Sequence, residues 1–251
     1  SKQIPLAFNG NKEFIFNLDS DIDVVAENGK KGVGGVSLDP IVMLPIKVEY
    51  GARISDEFMY ASDEEKINIL KAFNDGFAKK LARGLDIMAL HGLNPRTKAA
   101  STVIGDNCFD KKVTQTVTFD GKDADGAIEN AVNTVEAADG EVTGLAMDPS
   151  FRAILAKTTT DAEGKGVRLY PELRYGGNPA SINGLALDVN KTVSAETTNK
   201  AYVGDFAEMF RWGYAKNIMF ETIEFGDPDN TGKDLKGYNQ IYLRAEAYLG
   251  W

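Results

Sequence analysis

Residues 12–54 read KEFIFNLDSDIDVVAENGKKGVGGVSLDPIVMLPIKVEYGARI, and residues 62–92 read SDEEKINILKAFNDGFAKKLARGLDIMALHG. In the first stretch Phe14, Phe16 and Leu18 recur at every second position, the period of a strand. Ile22 and Val24 resume the alternation after the acidic turn Asp19-Ser20-Asp21. A glycine-rich tip follows, Gly29, Gly32, Gly34 and Gly35, carrying Lys30 and Lys31. The chain then returns through Val36, Ile41, Met43, Ile46, Val48 and Tyr50 to Ile54, interrupted by Pro40 and Pro45, as an edge or a bending arm allows. The expected element is a long two-stranded arm, one run over 12–27 and the other over 36–54.

The second stretch predicts a single amphipathic helix of roughly eight turns over 62–92. Ser62 and Glu65 form the capping-box pair. Ile67, Leu70, Phe73, Phe77, Leu81, Leu85 and Met88 recur at three- and four-residue spacing, an apolar stripe expected to pack into a core. Gly92 and Pro95 stop the helix.

An isolated two-stranded hairpin is marginal in water, and a bare apolar edge invites pairing with another chain. The arm therefore needs a surface to lie on, and a second copy of the same chain is the expected partner.

The 251 residues suffice for one large domain or two small ones. Hydrophobic content of 43% and charged content of 26% are ordinary for a globular chain, and no apolar run approaches the length that crosses a bilayer. Residue 1 is Ser rather than Met, so a removed leader or pro-segment is an open expectation. The net charge of −9 and a pI of about 4.8 are the opposite of a nucleic-acid-binding footprint. Such a surface repels DNA or is indifferent to it. One cysteine, Cys108, leaves no intrachain disulfide, and one histidine, His91, leaves no multi-histidine zinc site. A Ser–His–Asp mechanism would have to run through His91. That residue ends the long helix beside Gly92, where a capping or dipole role is expected.

The first 11 residues read as an irregular arm. A strand is expected around Val113, Val117 and Phe119, a helix over 123–138, and a short buried strand over 142–147. Asp148 and Pro149 then start a third helix, as N-cap and first helical residue. Residues 158–166 read as a polar mobile loop. Short strands follow over 185–189 and 201–204, a helical turn or strand over 206–210, a strand over 218–225 and an alternating strand over 238–249. Strands and helices interleave without regular βαβ order, so the class is α+β. The last strand is expected beside the return run of the arm and the long helix.

In order and texture these pieces resemble the major capsid proteins of tailed bacteriophages with the HK97 fold. The resemblance covers nearly the whole chain. It is carried by the arm running into Val48-Glu49-Tyr50-Gly51-Ala52-Arg53-Ile54-Ser55-Asp56-Glu57-Phe58, and by the long helix ending in His91-Gly92. It continues through Gly144-Leu145-Ala146-Met147-Asp148-Pro149-Ser150-Phe151, Ile182-Asn183-Gly184-Leu185-Ala186-Leu187 and Ala201-Tyr202-Val203-Gly204-Asp205-Phe206. The last piece is Ile241-Tyr242-Leu243-Arg244-Ala245-Glu246-Ala247-Tyr248. The resemblance implies an N-terminal arm (1–19), an extended loop (20–47), a peripheral domain (48–100 and 226–251) holding the spine helix 62–92, and an axial domain (101–225).

It implies in turn a structural subunit, not an enzyme, of an icosahedral phage or prophage capsid. Such subunits self-assemble into hexamers and pentamers around double-stranded DNA, with no cofactor, no metal and no membrane partner. The virion is the expected location, with assembly in the bacterial host cytoplasm. A scaffold, a maturation protease and a portal are implied partners. Inter-subunit contacts are expected at Val24, Val25, Lys30, Lys31, Val36, Ile41 and Met43 of the extended loop. Some members form isopeptide cross-links between a loop Lys and a peripheral Asn beside a Glu. Lys30 and Lys31 fit the first role, but Gly237 and Arg244 align where the Asn and Glu belong, with Asn239 and Glu246 two residues on. Cross-linking is therefore not expected.

Several local patterns carry a weaker second meaning. Asp227-Pro228-Asp229-Asn230-Thr231-Gly232 imitates the start of a calcium loop, but Tyr238 stands where the bidentate Glu belongs, so a solvated turn is expected. Asp19, Asp21 and Asp23 read as a solvated acidic edge rather than a cation site. The glycines at 29–35 do not open a helix and so are not a dinucleotide fingerprint. Trp212 and Trp251 read as packing anchors. Two rival functions stay open at this point: an encapsulin-type compartment shell, which shares the fold, and a soluble hydrolase with a carboxylate pair. A single His, a single Cys, no metal cluster and no nucleophile elbow speak against the hydrolase.

Overall fold

The computed structural model describes residues 1–161 and 163–251. Among these residues the chain forms two four-stranded sheets and a separate two-stranded ribbon. In chain order the elements are β1 (Lys2–Gln3), β2 (Asn11–Leu18), β3 (Val36–Met43), β4 (Ile46–Ser55), α1 (Asp63–His91), α2 (Phe109–Lys112) and α3 (Ala124–Glu136). There follow β5 (Gly144–Met147), α4 (Pro149–Leu155), β6 (Ser181–Ile182), β7 (Leu185–Val189), β8 (Ala201–Gly204), β9 (Arg211–Ile223) and β10 (Gln240–Gly250). No described helix is long and apolar enough to cross a membrane.

The first sheet has the order β1-β9-β10-β4. β10 pairs antiparallel with β4 over its length, Gln240 opposite Ser55 and Leu249 opposite Ile46, as expected from its alternation. Ile241, Leu243, Ala245, Ala247 and Leu249 are all buried, one face of that strand. Ala245, Ala247 and Leu249 meet Phe77, Leu81 and Met88 of α1 in one core cluster. Small residues on the strand let the helix approach closely. β9 also pairs with β10, so the sheet draws Arg211–Ile223 out of the stretch 101–225 expected to form the inserted unit.

The second sheet, β6-β7-β5-β8, carries the other core: Leu145, Met147, Phe151, Leu155, Leu173 and Leu187. Asp148 and Pro149 begin α4 as expected, with the Asp148 carboxylate accepting from the Ser150 N–H at 2.7 Å.

α1 has the expected ends. Ser62 and Glu65 close the capping box at one end, and Gly92 terminates the other at φ 67°, its N–H donating to the Met88 carbonyl. The apolar stripe is split. Phe77, Leu81 and Met88 are buried, whereas Ile67 is 64% and Leu70 36% exposed, because the sheet beneath does not extend under the first turns. That half of the stripe is not core within the chain, which corrects the sequence expectation.

Three further expectations are revised. The outgoing run of the arm is a strand only to Leu18, since Asp19 closes the ribbon: its N–H donates to the Gly35 carbonyl at 3.2 Å, and its carboxylate accepts from the Gly35 N–H at 2.7 Å. The return run breaks at Leu44-Pro45 into β3 and β4, which lie in different sheets. Residues 113–119 form no strand; Phe119 packs edge-on against Phe151 at 4.9 Å instead of pairing its backbone. In the loop expected at 158–166, Ala162 lies outside the described residues, and a Thr159–Arg168 bridge closes the loop's base.

Candidate interaction surface

The β2–β3 ribbon stands apart from both sheets. Its ladder sets Phe14 opposite Pro40, Phe16 opposite Leu38 and Leu18 opposite Val36. Directly opposed residues share a face. One face is therefore an apolar strip of Phe14, Phe16, Leu18, Val36, Leu38, Pro40 and Val42, with Lys12 opposite Val42 at its base end. The other carries Glu13, Ser37 and Asp39 beside Ile15 and Ile41. Phe14, Phe16 and Leu18 are 62%, 61% and 68% exposed. A monomer rarely leaves so contiguous an apolar strip uncovered.

The ribbon is anchored at its base. Met43 is buried, and Glu13 pairs with Arg211 at 2.5 Å. The Asn11 side chain donates to the Pro5 carbonyl at 2.7 Å and accepts from the Ala7 N–H at 2.9 Å. Of the contact residues expected from sequence, Val24, Val25, Lys30, Lys31, Val36 and Ile41 are exposed and Met43 is within the chain's own core. Val36 belongs to the apolar strip and Ile41 to the opposite face. Alternation in the sequence marked Phe14, Phe16 and Leu18, but the register that adds Leu38, Pro40 and Val42 to them depends on the Asp19–Gly35 closure.

A second exposed apolar area lies over the first half of α1. Ile67 and Leu70 continue the stripe outward to Phe73, whose ring is 6.1 Å from Tyr50 and 5.9 Å from Phe220.

Elsewhere, groups that imitate chemistry are occupied by the chain itself. The Arg53 guanidinium fills the calcium-like turn. It donates to Asp227 Oδ1 at 2.6 Å, Asp229 Oδ1 at 2.5 Å, Thr231 Oγ1 at 2.8 Å and the Lys233 carbonyl at 2.8 Å. The cation of this turn is an arginine, and the hydrogen bond to Arg53 holds the Asp229 carboxyl below its ordinary value. His91 is buried and bridges two other segments rather than only ending its helix. Burial pushes the Cys108 thiol up, away from the reactive range. Trp251 donates from Nε1 to the Asn107 carbonyl at 2.9 Å, and Trp212 packs edge-on against Tyr214, both as anchors. Among the described residues no group of three or more His, Cys, Asp or Glu side chains is placed to hold a metal. A cleft of about 520 Å³ between α1, β5, β7 and β9 is lined mainly by apolar side chains, Leu81, Leu85, Phe206 and Phe210 among them.

The model of the phage capsid family matches residues 17–250. Among solved structures, the chain resembles one from Mycobacterium phage Ogopogo, at 31% identity and a TM-score of 0.79, covering 100% of this chain and 85% of that one. It resembles one from Gordonia phage Cozz at 25% identity and a TM-score of 0.73, covering 100% and 80%. A structure described as the capsid of an empty GTA particle computed with C5 symmetry shares the fold, at 12% identity and a TM-score of 0.66 over 100% of this chain and 82% of that one. No curated protein sequence matches the chain. With an HK97-type α+β fold and the family's model spanning nearly its full length, the chain belongs to the phage capsid family and is a structural subunit of a multi-subunit virion shell.

Proposed function

We propose that this chain builds an icosahedral phage or prophage shell as hexamers and pentamers around double-stranded DNA, with the β2–β3 ribbon as the lock between subunits. The observation that carries this reading is the exposed strip from Phe14 to Val42. It becomes stable only when another subunit covers it, so ordering of the arm is coupled to assembly. A closed shell repeats this contact in symmetric or near-symmetric settings, so modest individual contacts suffice. The contact set Val24, Val25, Lys30, Lys31, Val36 and Ile41 is consistent with that role, while Met43 anchors the ribbon's base.

The division into arm (1–19), extended loop (20–47), peripheral unit (48–100 and 226–251) and axial unit (101–225) is supported by two separate cores. β9 is the exception, since it joins the peripheral sheet. The chemistry is assembly rather than catalysis, and the net charge of −9 keeps the wall poorly adhesive to packaged DNA. A scaffold, a maturation protease and a portal complete the pathway, which runs in the bacterial host cytoplasm. The compartment-shell and hydrolase alternatives give way to capsid family membership.

Electron microscopy with light scattering on the gene product, expressed alone and with its neighbouring protease gene, tests this reading. Closed particles on the order of tens of nanometres are expected. A monodisperse monomer or dimer at high concentration in both preparations overturns it.

A further inference from the structure

The cleft of about 520 Å³ lies between α1 and strands of both four-stranded sheets, β9 of the first and β5 and β7 of the second. Its volume is that of a small-molecule site. Leu85, Phe206, Phe210 and Trp212 give it apolar and aromatic walls. The only charged side chains lining it are Asp86 of α1 and Asp188 of β7; no Lys or Arg does so. Among the described residues neither carboxylate forms an ion pair.

Asp86 is held in place by two donors on one oxygen. Thr192 Oγ1 donates to its Oδ2 at 3.0 Å and Asn190 Nδ2 to the same atom at 3.4 Å, which leaves Oδ1 with accepting capacity. Burial pushes the Asp86 carboxyl up, and Asp188 adds to that push, against the Thr192 hydrogen bond and the more distant Arg83. Carboxylates set in an apolar wall are costly without a cation to pair with. The cleft is thus an aromatic slot whose wall carries uncompensated negative charge.

We propose that this cleft is a binding site for a small organic ammonium compound, its aryl or alkyl body against Phe206 and Phe210 and its ammonium donating to Asp86 and Asp188. Apolar burial supplies the contact, the aromatic faces add cation–π attraction, and the carboxylates select for positive charge. A bare metal ion leaves the aromatic walls unused, and the described residues offer no set of three or more acidic, His or Cys side chains to hold one. Because the walls come from both sheets, a bound molecule ties the sheets together and raises the melting temperature of the subunit.

Ligand-observed NMR titration and thermal melting of the parent chain with phenylbutylamine, phenylbutanol and phenylbutyrate test it. The amine is expected to bind with a Kd of about 1 mM or below, about tenfold tighter than the alcohol, with the carboxylate weaker than both. D86N/D188N is expected to abolish that preference and to leave binding of the alcohol unchanged. Thermal melting of the variant without ligand establishes that it is folded. Should it fail to fold, D188N alone, at an exposed position, replaces it, with the preference for the amine expected to fall about threefold. Equal binding of amine and alcohol, a carboxylate bound as tightly as the amine, no binding of the amine up to about 10 mM, or an undiminished preference in the folded variant overturns the site. The shell reading stands apart from each of these outcomes, since it is tested by particle formation.

Discussion

His91 Nδ1 lies 2.8 Å from Asp110 Oδ2, while its Nε2 donates to the Thr192 carbonyl at 2.9 Å. The end of α1 is thereby tied to α2 and to the turn Lys191–Val193. Asp110 also accepts from the Tyr202 hydroxyl at 2.6 Å and the Asn199 side chain at 2.7 Å. Burial, then the Asp110 hydrogen bond, pushes the Tyr202 phenol far above its ordinary value, so it remains a donor. H91A empties a buried imidazole site and removes the donor to the Thr192 carbonyl, and is expected to cost about 2–4 kcal/mol by urea unfolding of the unassembled subunit. A loss below about 0.5 kcal/mol would show that the bridge is incidental.

Asp148 gives the acid limb a component that can be isolated. Burial alone would raise its carboxyl, but donors from Ser150 and Ser194 outweigh burial and hold it below the ordinary value. A lowered folded value means its contribution is complete above the unfolded value of about 3.9 and is lost as pH falls through the folded one. D148A is expected to cost about 1–3 kcal/mol at pH 7. The gap between parent and variant should narrow below about pH 4, read from urea midpoints across the acid range. A gap that stays constant to pH 2 contradicts the assignment.

Gly51 is required by Tyr242. A Cβ at position 51 would lie 1.8 Å from the Tyr242 hydroxyl oxygen and 2.4 Å from Cε1, and the ring is buried. The aromatic ring covers the gap a glycine leaves in a strand. G51A is expected to destabilise by about 1–3 kcal/mol. In a double-mutant cycle with Y242A most of that cost should disappear; strict additivity would disprove the contact.

Phe16 and Leu38 face each other on the exposed strip. F16S/L38S removes no buried contact, so the unassembled subunit should unfold within about 0.5 kcal/mol of the parent. Closed particles should nevertheless fail to form, as judged by electron microscopy. Full assembly would mean that the strip is not an interface.

The turn over 227–233 is held both by Asp227, whose carboxylate accepts from the Thr231 and Gly232 N–H groups, and by Arg53, which donates to Asp227 and Asp229. R53K replaces a fork that reaches several acceptors with a single ammonium. Limited proteolysis should then cut within 227–234 faster than in the parent, with the remaining sheet still protected. Equal cleavage would assign the order of the turn to another contact.

Much of this protein is written in local pattern. The ends of α1, the Asp148 cap, the alternation of Phe14 to Leu18 and the burial of β10 each follow from residues within a few positions of one another, and propensity and capping act over that range. The same locality explains the errors. The stripe from Ile67 to Met88 is uniform in sequence, yet only its second half finds a sheet beneath it. The threonine-rich run at 113–119 has strand texture but no strand partner. The acidic turn at 227–232 reads as solvated because Arg53, which its carboxylates accept from, is far away in sequence. His91 looks like a helix end because Asp110 and Thr192 lie outside its own helix.

The sequence alone determined where the long helix begins and ends, that the arm's outgoing strand alternates apolar residues, and which capsid family the order of pieces resembles. Only the tertiary structure decided which faces stay uncovered, that β9 joins β10, and that seven of the arm's apolar residues form one strip. The reason is physical: a cap or a period is set by neighbours along the chain, whereas exposure and register are set by what long-range packing brings against each face.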